Sequence, residues 1–116
     1  MKKLLTALVL VMLCTPAFAA FQGGPGDTGK MGTVRDALNA AWDDTWMCME
    51  GNITSQVGGE KYAFQDATGN IVVEIEYKYF GGANVTPANK VRICGKVDKE
   101  YMKRNEFEVK SLQVIQ

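Results

Sequence analysis

The chain has 116 residues, with 13 Lys and Arg against 13 Asp and Glu, and no histidine. That length suits one domain. A chain without histidine lacks the commonest general acid/base, the commonest transition-metal ligand and any Ser-His or Cys-His nucleophile pair.

The first 19 residues read as a cleavable export signal. Lys2 and Lys3 form the charged start, Leu4 to Leu13 is apolar apart from Thr6, Pro16 breaks the run, and Ala17-Phe18-Ala19 supplies the small residues that precede a cleavage site. Cleavage is expected between Ala19 and Ala20. The apolar run is too short to cross about 30 Å of hydrocarbon as a helix, so no membrane span is expected after cleavage. Leu13 is too bulky for a lipobox, so Cys14 leaves with the signal. The remaining chain loses Lys2 and Lys3 and keeps eleven basic residues against thirteen acidic ones. A slightly acidic domain is a poor phosphate-backbone binder, which argues against a nucleic-acid partner.

Residues 20–32 are Gly-rich and lack hydrophobic periodicity, which predicts a mobile leader. Gly23-Gly24-Pro25-Gly26 has neither the preceding strand nor the Lys-Ser/Thr ending of a phosphate loop. The domain itself is expected to span 33–116. Thr33 is a plausible N-cap with Asp36 three residues on, and Val34, Leu38 and Ala41 recur at helical spacing with Ala37 and Trp42 alongside. Asp43, Asp44 and Thr45 close that helix and read as a turn rather than a metal site, because no third ligand accompanies them.

From Trp46 the apolar period becomes two, the signature of strands. Met47, Met49, Gly51 and Ile53 share one face of the first strand, and Trp46, Cys48, Glu50 and Asn52 the other. Tyr62 and Phe64 mark a second strand, and Ile71, Val73 and Ile75 a third, with Glu74 and Glu76 on its outer face. Tyr77 to Asn89 reads as a long loop. Val91, Ile93, Gly95 and Val97 alternate in a fourth strand, and Phe107, Val109, Leu112 and Val114 in a fifth, with a parity slip that predicts a bulge between Val109 and Leu112. Five short strands with one apolar face each suit an all-β, closed five-stranded barrel, since closure removes exposed edges. The N-terminal helix is expected to cap one end through Val34, Leu38 and Trp42.

From Asp43 onward the chain resembles the bacterial OB-fold (BOF) family of the YgiW/YdeI type. The matching pieces are Asp43-Asp44-Thr45-Trp46, Gly51-Asn52-Ile53, Tyr62-Ala63-Phe64-Gln65-Asp66, Gly69-Asn70-Ile71-Val72-Val73, Val85-Thr86-Pro87, Gly95-Lys96-Val97-Asp98-Lys99 and Glu108-Val109-Lys110, with their spacing kept. The resemblance implies a five-stranded OB barrel, a periplasmic location and a non-catalytic role in stress survival. It carries over no catalytic residues and no cofactor. The family pattern commonly has polar, non-cysteine residues at positions 48 and 94, so the cysteines here are a departure.

Cys48 and Cys94 would be the only cysteines left after export to an oxidising compartment. In an OB barrel they fall on the outer faces of neighbouring antiparallel strands, where opposed Cβ atoms stand about 4.5–5.5 Å apart, which predicts a Cys48–Cys94 disulfide. No Cys-x-x-Cys, histidine or helix start lies nearby to activate a thiol, so a redox-active pair is disfavoured. OB folds bind ligands on the outer face of their second and third strands and on adjoining loops. Here that face offers Lys61, Gln65, Glu74 and Glu76, with Tyr77, Tyr79, Phe80, Tyr101, Lys103 and Arg104 nearby. Single-strand nucleic-acid binders need a basic groove with stacking aromatics, and the two glutamates break that pattern. Paired carboxylates on an open strand face also lack the flanking cleft that glycoside hydrolysis needs. The expected ligand is a small polar or cell-envelope molecule, bound through Lys61, Gln65, Glu74, Glu76, Tyr77, Tyr101 and Arg104. The alternative is a structural or adaptor protein whose partner is another periplasmic protein.

Overall fold

A computed structural model describes residues 29–116. The expected export signal, its expected cleavage site and residues 20–28 lie outside the described residues. Alternation makes β2 (Trp46–Gln56), β3 (Lys61–Asp66), β4 (Gly69–Glu74), β5 (Val91–Asp98) and β6 (Glu106–Val114); a short β1 (Lys30–Met31) and α1 (Val34–Leu38) precede them, and a single-turn 3₁₀ helix, Tyr77–Phe80, follows β4.

The sheet order is β1-β2-β3-β4-β6-β5, and β5 also pairs with β2, so five strands close on themselves. β2 serves two partners: residues 46–51 pair antiparallel with β5, and residues 52–56 with β3. β4 and β6 run parallel where they meet, with Val73 opposite Phe107. The alternate residues that face inward form the core, with Met49, Phe64, Val73, Ile93, Val97 and Phe107 fully buried. Between Cys94 and Gly95 the β5–β6 register slips, so Lys110 is the extra residue of a bulge, as the parity slip predicts. A second register shift between Ile53 and Ser55 of β2 has no parity signal in the sequence.

Three expectations change. The leader does not stay unpaired to residue 32, because Lys30 and Met31 add a parallel strand beside Met47 and Cys48, and the Gly32 amide donates to the Cys48 carbonyl at 2.8 Å. The helix is five residues long, not nine, and Trp42 does not cap the barrel: it is 77% exposed. The reason sits at Asn105, a buried polar residue whose side-chain amide donates to the carbonyls of Ala37, Leu38 and Ala40 at 3.1–3.3 Å. Those carbonyls are collected by a side chain from the β5–β6 turn, so the chain leaves the helix at Asn39. Glu76 does not share a strand face with Glu74. β4 ends at Glu74, and Glu76 takes the N-cap position of the 3₁₀ helix.

The Asp43–Thr45 segment is a turn, with the Asp43 carboxylate accepting the Lys99 amide at 2.8 Å. Cys48 and Cys94 are opposed in register and joined by a disulfide, with Cα atoms 4.0 Å apart. Both point away from the barrel interior, yet both are buried. The backbone at Gly29 covers the pair so closely that a Cβ there would stand 3.1 Å from the Cys48 sulfur.

Candidate functional site

β2 turns from one partner to the other at Gly51 and Asn52. The close approach needs glycine, since a Cβ at Gly51 would overlap the Gln65 carbonyl oxygen. Outside this bend lies an open groove of about 660 Å³. Glu50, Asn52 and Thr54 of β2 and Gln65 of β3 line it, with Asp66 and Thr68 at one end and Pro87 and Lys90 from the loop before β5.

Each wall is held in place. The Asn52 amide donates to the carbonyls of Pro87 and Asn89, both at 2.9 Å, tying the loop to the strand. The Asn89 carboxamide oxygen accepts the Thr86 amide at 2.8 Å and closes the turn. At the other end the β3–β4 hairpin caps α1. Asp66 accepts the Val34 amide at 2.9 Å and the Thr68 amide and hydroxyl at 2.8 and 2.7 Å, while Thr68 Oγ1 accepts the Arg35 amide at 3.0 Å. Thr33 and Asp36 complete a capping box. Burial pushes the Asp66 carboxyl up, but the hydrogen bonds from Thr68, Val34 and Gly69 together outweigh it and hold the carboxyl below the usual aspartate range.

Glu50 is paired, its Oε2 accepting from Arg92 Nε and Nη2 at 3.0 and 2.8 Å. Among the described residues, the Lys90 ammonium has no ion pair and the Gln65 carboxamide no hydrogen-bond partner. The groove therefore offers a cation, a free amide and the second oxygen of Glu50.

The expected ligand residues do not converge. Gln65 lies in the groove. Lys61 and Glu74 are opposed across β3 and β4, and the Lys61 ammonium bonds Glu106 at 2.9 Å, which raises its pKa. Glu106 also stands with Asp98 and Glu100, their carboxylate oxygens within 4.8 Å of one another. Burial, and then the Glu100 charge, push the Asp98 carboxyl up. These are the described residues that could hold a cation, and Lys61 already supplies one. Glu76 lies 3.8 Å from Lys78. Tyr77 contacts Phe80 at the other end of the barrel. Arg104 is structural, donating to the Asn70 carbonyl. Tyr101 is 88% exposed.

The sequence reading missed Glu50, Asn52, Thr54 and Lys90. The signal was present: Glu50 and Asn52 alternate outward on either side of a strand glycine, a position that marks close backbone approach.

A closed sheet in the order β2-β3-β4-β6-β5, with its first strand shared between two partners, is the architecture of an OB fold. The chain belongs to the bacterial OB fold (BOF) protein family, whose model matches residues 13–114. It is 35% identical over 130 residues to Protein YgiW of Escherichia coli K12, covering 99% of this chain and 98% of that protein. It is 36% identical over 104 residues to the calcium-regulated OB-fold protein CarO of Pseudomonas aeruginosa, covering 90% and 88%. The solved structure of ygiW from E. coli superposes with a TM-score of 0.71 at 38% identity, over 81% of this chain and all of that one.

Proposed function

We propose that this protein is a non-catalytic periplasmic OB-fold protein that contributes to envelope and oxidative stress tolerance by binding a small polar or cell-envelope ligand. The observation that carries the reading is the groove at the β2 bend, where the Lys90 ammonium and the Gln65 carboxamide stand without partners among the described residues. Pockets of a few hundred Å³ with a few convergent polar groups are the usual form of a small-molecule site. The chain has no histidine to supply a general base near neutral pH, which supports binding rather than turnover.

A thermal-shift screen of the exported, oxidised protein against muropeptides, lipid A head groups and divalent cations tests it. A ligand that binds the folded state raises the midpoint with dose. The rise should shrink in Gln65→Ala and Lys90→Ala. Calcium belongs in the panel because the Pseudomonas relative is described as calcium-regulated. No shift across the panel would sink the small-ligand reading.

An adaptor role is the second reading, supported by three exposed apolar side chains, Met31, Trp42 and Trp46, around one cleft of about 360 Å³. Aromatic and methionine side chains are enriched in protein interfaces. Capture of one specific periplasmic protein, lost on Trp42→Ala, would favour it.

A further inference from the structure

At the opposite end of the barrel from α1 the structure holds a further cleft that shares no lining residue with the groove. It has a volume of about 300 Å³ and is lined by Tyr62 of β3, Tyr77 and Phe80 of the 3₁₀ helix, and Ile53, Asn84 and Val85. Among the described residues, no charged side chain lines it. The three rings are inclined rather than stacked. Tyr62 and Phe80 have centroids 5.6 Å apart at 70°, and Tyr77 and Phe80 6.5 Å apart at 51°. Tyr62 and Phe80 pack edge to face, Tyr77 tilts against Phe80, and all three line the cleft.

The walls are fixed by the chain. Tyr62 is held in the β3–β4 ladder opposite Val73. The helix is closed by the Tyr79 amide on the Glu76 carbonyl at 2.9 Å and the Gly81 amide on the Lys78 carbonyl at 3.1 Å. Gly81 and Gly82, with φ of 59° and 82°, then turn the chain so that the Ala83 amide reaches the Phe80 carbonyl at 2.9 Å. The segment's own ammonium group is held elsewhere. Lys78 Nζ lies 5.3 Å from the Tyr79 ring centroid and 3.8 Å from Glu76. Phe80 and Tyr62 are half-buried, whereas Tyr77 is 81% exposed and forms an open wall.

We propose that Tyr62, Tyr77 and Phe80 form an aromatic cage for an alkylated ammonium group. The chemistry follows from the lining. A cation is attracted to the negative face of an aromatic ring within about 6 Å of its centroid, and clustered rings recognise quaternary ammonium in this way. An uncharged lining neither repels the cation nor holds a rival one, and the side chains of Ile53, Phe80 and Val85 offer carbon to its methyl groups. A compact anion would find no cationic side chain here.

The test is calorimetric titration of the purified protein with choline and with its neutral isostere 3,3-dimethyl-1-butanol. Choline should bind roughly two- to fivefold more tightly, the scale of a cation–π contact at a solvent-exposed site. Tyr77→Ala should weaken choline binding by a similar factor without moving the melting midpoint, because the side chain is exposed. Tyr77→Phe should retain binding, and Lys90→Ala in the separate groove should leave it unchanged. Cosedimentation with phosphatidylcholine vesicles, competed by choline, assigns the group to a lipid head group; binding of choline without vesicle binding assigns it to a free amine. Either source upholds the cage. Equal affinity for the neutral isostere, no saturable choline binding, or binding untouched by Tyr77→Ala overturns it.

Discussion

Gly95 has no room for a methyl group. It lies opposite the bulge at Lys110, and a Cβ there would overlap the Glu108 carbonyl oxygen and stand 3.0 Å from the Lys110 amide nitrogen. Both are backbone atoms of a paired strand, so neither can swing aside. Gly95→Ala should cost about 1–3 kcal/mol, the range for overpacking a tight interior site. Gly59, where a Cβ meets nothing within 4 Å, is the control, and Gly59→Ala should leave the urea midpoint unchanged. Equal midpoints for the two variants would contradict the packing at the bulge. Asp66 works through charge. Its pKa is depressed in the folded state, so its contribution is present above the unfolded aspartate value and is lost as pH falls through the folded one. Asp66→Asn keeps an acceptor oxygen but loses the charge, so it should lower the thermal midpoint at neutral pH. The gap to the parent in thermal midpoint should close below the ordinary aspartate range. A gap that widens in acid would reverse the assignment. Asp98, with its carboxyl pushed up, acts in the opposite sense, because folding favours its protonated form and its contribution grows as pH falls.

At the scale of elements, α1 owes its length to a side chain 66 positions beyond its C-cap Asn39. Asn105→Ala would leave the carbonyls of Ala37, Leu38 and Ala40 without their donor where the helix meets the barrel. That should cost about 1–3 kcal/mol, the desolvation of a buried polar group left unmade. An unchanged melting midpoint would show that water replaces the amide. This residue also marks where the sequence was legible and where it was not. The five main strands, the bulge near Lys110 and the Thr33–Asp36 capping box were readable because period-two alternation, its parity and cap spacing are local signals. The helix end was not, because Ala41 and Trp42 continue the helical pattern while the stop signal comes from a distant turn. The groove was half legible. Gln65 and the outward Glu50 and Asn52 follow from alternation, but that Lys90 joins them depends on the loop tether at Asn52, a long-range contact. The β1 strand escaped because two residues are too few for periodicity to register.

For the whole molecule, the question is what keeps five short strands closed. The seam between β4 and β6 has two registered pairs, Val73–Phe107 and Glu74–Glu108, whereas β2 and β5 share six. α1 packs across both β4 and β6, covering the sparse seam with the fully buried Val34 and Ala37. The well-paired seam carries the covalent link. Cys48–Cys94 closes a 46-residue separation, and the chain-entropy account gives about 4 kcal/mol for a loop of that length. For a domain of this size that corresponds to a fall in melting midpoint on the order of 20 °C when the bond is absent. Burial beneath Gly29 shields the sulfurs, so reduction of the native protein should be slow and limited by opening of β1 and β5 rather than by reductant concentration. The measurement is thiol titration of residues 20–116, which hold Cys48 and Cys94 but not Cys14. In denaturant without reductant no thiol should react, and after reduction two should. Under native conditions the two should appear together, at a rate that saturates with dithiothreitol. Two reactive thiols before reduction, or a melting midpoint indifferent to the double variant Cys48→Ala, Cys94→Ala, would show that strand pairing alone holds the ring closed.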